Sequence, residues 1–362
     1  MNLPIRKDLI GRSPYGAPQI DVPVRLNTNE NPFGPSNELV SELSKIIVEI
    51  GPDLNRYPDR DALALRADLA DYLNTESNVL LTAANIWPAN GSNEVMQQLL
   101  QLFGGSDKSL VTFDPTYSMY EDYCRNTFTN YLSISRNDDF SIDREVLDKA
   151  ISLDPEIIVI TSPNNPTGTV IDISDIDYLL ASFSGVLIVD EAYAEFRPQG
   201  SPSATTRITS NPRLVVVRTM SKAFSYAGAR VGYAAADSAI IEAIQLVRLP
   251  YHLSTVTQAV ARVALRFTEQ LQGQIDLLRQ ERDDLANWLS NVGLKVAPSG
   301  ANFLLFGTFG DRNLVWEQLV EQGVLIRQTG PSGWLRVSIG TPEENQVFKN
   351  ALQQVINQTN GK

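Results

Sequence analysis

Short apolar runs alternate with stretches of helical spacing between about Ser109 and Tyr233: "SLVTF", "NYLSIS", "EIIVITSP", "GVLIVDEAY", "RLVVVRT" and "RVGYAAA". The runs are rich in Val and Ile and mostly unbroken by polar residues, which predicts strands buried on both faces of a mostly parallel sheet. The expected fold class is therefore α/β, with a three-layer α/β/α large domain. Upstream, apolar residues at helical spacing predict helices over Glu38–Ile50 and Asp61–Tyr72, the second opening with an acidic first turn in "RYPDRDALALRADLA". "PANGSNEVMQQLLQLF" reads as a Gly-Ser turn entering another helix. Downstream, Thr257 to Ser290 reads as one long helix leading into a smaller α+β domain built from "LKVAPSGANFLLFGT", "GVLIRQT" and "WLRVSIGTPEEN". The first 35 residues are rich in Pro, Asn and Gly without periodicity and predict an extended arm. The expected division is an arm over 1–35, a large domain over 36–256, and a small domain over 257–362 that includes the linking helix.

Composition narrows the function classes. A chain of 362 residues with 43% hydrophobic and 20% charged residues is long enough for a large core and a smaller companion. The net charge of -12, with no Lys/Arg cluster, argues against nucleic-acid and membrane-surface partners. Cys124 and His252 are the only residues of their kinds, which excludes an intrachain disulfide and a Cys/His metal cage. No metal is expected. A single cysteine, the lack of an uninterrupted apolar stretch in "MNLPIRKDLIGRSPYG" and the lack of a membrane-length apolar window suit a cytoplasmic protein.

The chemistry sits after the strands, where open α/β sheets bind ligands. Lys222 follows "LVVV" within "TMSK"; a lysine at a strand-to-helix turn is ordinarily a surface residue. Here Thr219, Ser221 and Arg230 supply hydroxyls and a guanidinium able to grip a phosphate, and a partly desolvated lysine beside them can act as a nucleophile toward a carbonyl. Asp190 closes "GVLIVD" and reads either as a capping residue, as a metal ligand with Glu191, or as the partner of a protonated pyridine nitrogen. "TSPNNPTG" is dense in turn formers and reads as a plain loop, or as one whose Asn165 amide could hold a ring oxygen together with Tyr193. "NGSNE" enters a helix whose free N–H groups favour an anion near Ser92 and Asn93, and Tyr117 in "FDPTYSMY" reads as a stacking aromatic or a core residue.

Taken in order, "LNTNENPFGP", "RYPD", "SPNNPTG", "VDEAY", "TMSKAFSYAG" and "LRVSIGTPEEN" resemble the landmarks of fold-type I pyridoxal-phosphate-dependent aminotransferases, in the branch that includes the histidinol-phosphate aminotransferases. The resemblance covers nearly the whole chain. It implies pyridoxal 5'-phosphate as cofactor, joined covalently to Lys222, which then carries the proton between substrate Cα and cofactor C4′. It implies Asp190 on the pyridine nitrogen, Asn165 and Tyr193 on the ring oxygen and Tyr117 stacked on the ring. Ser92, Asn93, Thr219, Ser221 and Arg230 would hold the phosphate, with Tyr57 reaching it from the neighbouring subunit of a homodimer. Arg336 and Arg327 would bind substrate anions, with Asn29 and with Tyr15 of the arm also on the substrate side. The implied reaction exchanges an amino group between glutamate and imidazole acetol phosphate, giving 2-oxoglutarate and histidinol phosphate in histidine biosynthesis. Rival readings are an aromatic-amino-acid aminotransferase on the same scaffold, a decarboxylase of phosphate-bearing substrates, and a cofactor-binding regulator. His252 in "LPYHLS" reads as structural.

Overall fold

The first strand, β1 (Val24–Arg25), belongs to the segment expected as an arm. It appears in a computed structural model that describes residues 3–360. Two helices follow, α1 (Asn37–Ile50) and α2 (Leu63–Ser77). Ser36 caps α1, its Oγ accepting the Leu39 N–H at 3.2 Å. The acidic first turn expected for α2 is not there: the helix starts at Leu63, after both aspartates. Asp59 explains the offset, because its carboxylate accepts the N–H groups of Asp61 at 3.0 Å and Leu63 at 2.9 Å. The acid leads into the helix from outside.

The large sheet contains β2 (Ile86–Ala89), β3 (Ser109–Asp114), β4 (Asn130–Ser135), β5 (Ile157–Thr161), β6 (Val186–Asp190), β7 (Leu214–Thr219) and β8 (Gly232–Ala236). Their spatial order is β2-β8-β7-β6-β5-β3-β4. From β7 to β4 every pairing is parallel, whereas β8 runs antiparallel to both β7 and β2. β2 has no counterpart in the sequence reading, because "IWPA" is short and contains a proline.

Alternate residues of each strand feed two different cores, as the twofold strand repeat requires. Ile157 and Val159 pack with α3 (Ser92–Phe103), α4 (Met119–Thr127) and α7 (Ser238–Ile244), through residues such as Leu99, Tyr120 and Ile244. Ile158 and Ile160 pack on the other face with α2, α5 (Arg144–Ser152) and α6 (Ile173–Ser182), through Leu69, Leu147 and Leu179. Both faces are covered, which is why the strands read as continuous apolar runs.

The long helix expected over Thr257–Ser290 is two helices, α8 (Thr255–Leu265) and α9 (Thr268–Asn291). Between them the N–H groups of Arg266 and Phe267 bond three residues back, to Val263 at 3.1 Å and Ala264 at 3.0 Å, a tightened turn that ends the first helix. The interruption lets α8 pack on α1 and α2 while α9 turns toward β9 (Lys295–Val296) and β10 (Phe303–Gly307). Then come α10 (Arg312–Glu321), β11 (Val324–Leu325), β12 (Leu335–Ser338) and α11 (Pro342–Asn360). β10 is the antiparallel centre between β9 and β12. β1 pairs in parallel with β11, Val24 opposite Val324, so the arm is tied to the C-terminal part of the chain. Among the described residues no helix is long and apolar enough to cross a membrane.

Candidate active site

β5, β6 and β7 are parallel neighbours, so their carboxyl ends lie side by side, with Thr161 opposite Asp190 in the register. Above those ends is a cavity of about 290 Å³. Asp190, the last residue of β6, is 5% exposed. Its Oδ1 accepts the Ala192 N–H at 3.1 Å and its Oδ2 the Tyr120 hydroxyl at 2.7 Å. Burial pushes its carboxyl up to about 6, against the pull of those donors. Lys222 stands in the same cavity with its Nζ donating to the Thr28 carbonyl at 3.0 Å. Burial, then the Arg336 and Arg230 charges, push the amine down to about 8 although Glu30 opposes them. About a tenth of such an amine is neutral at pH 7, which a nucleophile toward a carbonyl requires.

An anion cradle lies beside the lysine. Gly91, at φ 82°, turns the chain from β2 into α3, and the first helical residue is Ser92. A Cβ on Gly91 would fall 2.4 Å from Arg230 Nη2, and one on Gly232 would fall 2.1 Å from the Ser92 nitrogen. Both glycines therefore permit a close approach that no side chain allows. Arg230 Nη1 donates to Ser221 Oγ at 3.3 Å, and the Thr219 hydroxyl is 2.9 Å from the same oxygen. A helix start, two hydroxyls and a guanidinium without a carboxylate partner make a receptor for phosphate.

The opposite wall carries Arg336 and Arg327. Arg336 is buried, and β12 sets its position. Its Nη1 donates to Asn165 Oδ1, its Nη2 to the Asn27 carbonyl at 2.9 Å, and its Nε has no partner. Burial pushes its guanidinium down to about 10. Arg327 is the backbone bridge partner of Arg336, and its side chain donates to the Gly16 carbonyl at 3.4 Å. Among the described residues neither arginine has a carboxylate within ion-pair distance, which leaves positive charge available to an anion.

Of the other residues singled out from the sequence, Asn93, Tyr117, Asn165, Tyr193, Tyr15 and Asn29 all line the cavity. Asn29 is engaged: its amide nitrogen donates to the Tyr193 hydroxyl at 3.1 Å and its oxygen accepts from Ser338 at 2.9 Å, so it orients the tyrosine. Tyr57 lies outside the cavity of its own chain, 80% exposed and stacked on Tyr251 at 4.5 Å between ring centres. His252 is also outside, its ring stacked on Trp87 at 5.2 Å and its Nε2 3.0 Å from the Pro88 carbonyl. Sequence reasoning missed Thr28, which acts through a carbonyl and leaves no side-chain signature. It also missed Tyr120, whose spacing of three from Tyr123 along α4 was the available signal.

These residues fit pyridoxal phosphate on structural grounds. The cavity offers a lysine amine without an acidic partner, a buried carboxylate without a cationic one, and the glycine-lined phosphate cradle. Among the described residues no group of His, Cys, Asp or Glu side chains could hold a metal ion.

Comparison with known proteins places this geometry in a family. Residues 21–352 match the model for aminotransferase class I and II. A histidinol-phosphate aminotransferase of Thermobifida fusca is 51% identical over 352 residues, covering 97% of this chain and 95% of its own length. One from Burkholderia lata is 50% identical over 98% of this chain and 96% of its own. Among solved structures, the Sinorhizobium meliloti histidinol-phosphate aminotransferase, in complex with pyridoxal-5'-phosphate, superposes with a TM-score of 0.82. It is 23% identical, covering 93% of this chain and 92% of that one, a likeness of fold.

Proposed function

The chain belongs to the class I and II aminotransferases, and from that premise we propose that it exchanges an amino group between histidinol phosphate and 2-oxoglutarate, using pyridoxal 5'-phosphate. The products are imidazole acetol phosphate and glutamate. The observation that carries the substrate reading is the pair of arginines, Arg336 and Arg327, facing the same cavity as Lys222 without carboxylate partners. Histidinol phosphate has no α-carboxylate and glutamate has one. A planar guanidinium donates to either a phosphate or a carboxylate through the same fork, so one anion pocket serves both halves of the cycle. The names of the curated relatives support the same substrates.

Bound in the cavity, the cofactor supplies an electron sink that makes the substrate Cα–H bond acidic. The chain does the rest. Lys222, with its amine pushed down to about 8, would be the base that takes the proton from the substrate Cα and holds it for return to the product. Asp190 holds the ring nitrogen in its protonated form. Asn165 and Tyr193 fix the ring oxygen, Tyr117 covers the ring face, and Ser92, Asn93, Thr219, Ser221 and Arg230 hold the phosphate. Arg336 orients the substrate anion while Asn165 and the Asn27 carbonyl hold its own plane.

The same reading makes the working unit a homodimer in which Tyr57, stacked with Tyr251 on the surface, reaches the phosphate of the partner's cavity. Light scattering of the active protein tests this, and full activity in a monomer would overturn it. The substrate assignment is tested by comparing kcat/KM for histidinol phosphate and phenylalanine with 2-oxoglutarate as common acceptor. The reading expects histidinol phosphate to be preferred; a preference for phenylalanine would make the protein an aromatic-amino-acid aminotransferase instead.

A further inference from the structure

We propose that Tyr120 is a positioning residue that keeps the Asp190 carboxylate ionised and aimed into the cavity, as the last link of a directed chain of hydroxyls beginning at Thr161. The inference rests on the proposed use of pyridoxal phosphate for its purpose, but not for its geometry.

Tyr120 is in the first turn of α4 and is 1% exposed. Its hydroxyl lies 2.7 Å from Asp190 Oδ2 and 2.6 Å from Thr161 Oγ1. An ionised carboxylate only accepts, so the single tyrosine proton goes to Asp190 and the tyrosine oxygen takes the proton of Thr161. Both hydroxyls then point the same way, toward the carboxylate, and each strengthens the next. The ring cannot swing away easily. It meets Tyr117 edge-on at 5.6 Å and Tyr123 at 6.4 Å between ring centres. Thr161 ends β5 and Asp190 ends β6, so the tyrosine bridges the two strand ends that frame the cavity.

The energetic reason for such a donor is the burial of Asp190. With Tyr120 in place the carboxyl is already pushed up to about 6. Without it only the Ala192 N–H remains on the carboxylate, and burial acts with less opposition. A carboxyl protonated at neutral pH is no longer an anionic partner for a protonated ring nitrogen. The donor itself is stable as a donor, because burial and then the Asp190 charge hold the Tyr120 hydroxyl well above its usual range. The other titratable or charged groups facing Asp190 are Glu191 beside it, Tyr117 and Tyr123 from α4 and its lead-in, Tyr193 beyond β6, and Lys222 and Arg230 across the cavity. Of its near neighbours only Tyr120 donates a side-chain hydrogen bond to it.

The test uses Tyr120→Phe and Thr161→Val, each checked for folding by circular dichroism. In the apoprotein, the Asp190 carboxyl band, assigned by its loss in Asp190→Asn, is followed by infrared spectroscopy from pH 5 to 9. Tyr120→Phe should raise the midpoint by about one unit, a tenfold change in proton affinity, and Thr161→Val should raise it less. Pyridoxal phosphate affinity, read by absorbance titration, should fall in Tyr120→Phe by about tenfold at pH 5 and about twofold at pH 7, and converge with the unmodified protein above the raised midpoint. An unmoved midpoint in folded Tyr120→Phe, or an affinity loss equal at every pH, overturns the proposal. If that variant does not fold, an unmoved midpoint in Thr161→Val overturns it. Failure of the unmodified protein to bind pyridoxal phosphate would instead defeat the proposed function, leaving the apoprotein midpoints to decide the role of Tyr120.

Discussion

Arg218 and Thr219 are consecutive residues at the end of β7, with side chains on opposite faces of the sheet, and the charges on those two faces are organised in opposite ways. On the Arg218 face, charge is matched. Arg218 Nε meets Glu191 at 2.8 Å, its Nη1 meets Glu195 at 3.1 Å and its Nη2 meets Glu76 at 3.4 Å, while Arg197 joins Glu191 at 3.2 Å. Burial works against the Arg218 charge, but Glu191, Glu76 and Glu195 outweigh it and push its pKa up. On the Thr219 face, Lys222, Arg230, Arg327, Arg336 and Asp190 form no ion pair with any described residue. Asp190 and Arg336 are buried, and a buried charge without a partner is costly, so a fold keeps one only where something else supplies the partner. The matched cluster belongs to the scaffold; the unmatched set marks where ligand charge goes.

The contrast is broken most severely at Lys222. Lys222→Met should abolish transamination to the background rate in a coupled assay and remove the visible absorbance of the lysine-bound cofactor, while leaving the protein folded. Next in size, Glu191→Gln leaves Arg218 and Arg197 short of a buried anion and should cost about 3–5 kcal/mol in urea denaturation of the apoprotein. Third is a pH effect of the unmatched side. The folded-state pKa of Lys222 lies below its unfolded value, so below about 8 the folded chain must accept a charge where it is unfavourable. Apoprotein stability should therefore rise as pH increases from about 8 toward about 10.5, by up to about 3 kcal/mol less a reduction for solvent reaching the cavity, and Lys222→Met should lose that rise. Fourth, Arg336→Ala should weaken both histidinol phosphate and glutamate about 10- to 100-fold in kcat/KM. Loss for one substrate alone would show that the two anions use different arginines. The smallest effect belongs to Glu76→Gln, at the partly exposed edge of the matched cluster, expected at about 1 kcal/mol or less.

The legible part of the molecule was the part whose residues are local in sequence. Lys222, Asp190 and Asn165 each sit a few positions beyond a valine- or isoleucine-rich run, so strand and site residue are read together. The matched cluster was not legible, because Glu76, Glu191 and Arg218 come from α2, the residue after β6, and β7, and nothing in the chain announces that they meet. The break between α8 and α9 was hidden for a related reason: no Gly or Pro marks it, and the cause is that the two helices pack on different neighbours. β2 was missed because four residues with a proline carry too weak a pattern. The resemblance to a known family brought Arg336 and Arg327 into the reading, where strand pattern alone left them as surface residues.

The pairing of Val24 with Val324 has a temporal meaning during synthesis. The partners are 300 positions apart, and ribosomes add about 5–20 residues per second, so the first strand waits roughly 15–60 s for its counterpart to be made. Thr28, whose carbonyl holds the Lys222 amine, lies just beyond that strand. The large sheet can assemble while the chain is still growing, but the segment that finishes the cavity has nowhere to dock until the end of translation. Nascent chains stalled before residue 324 should therefore hold a formed sheet and an open, unfinished pocket.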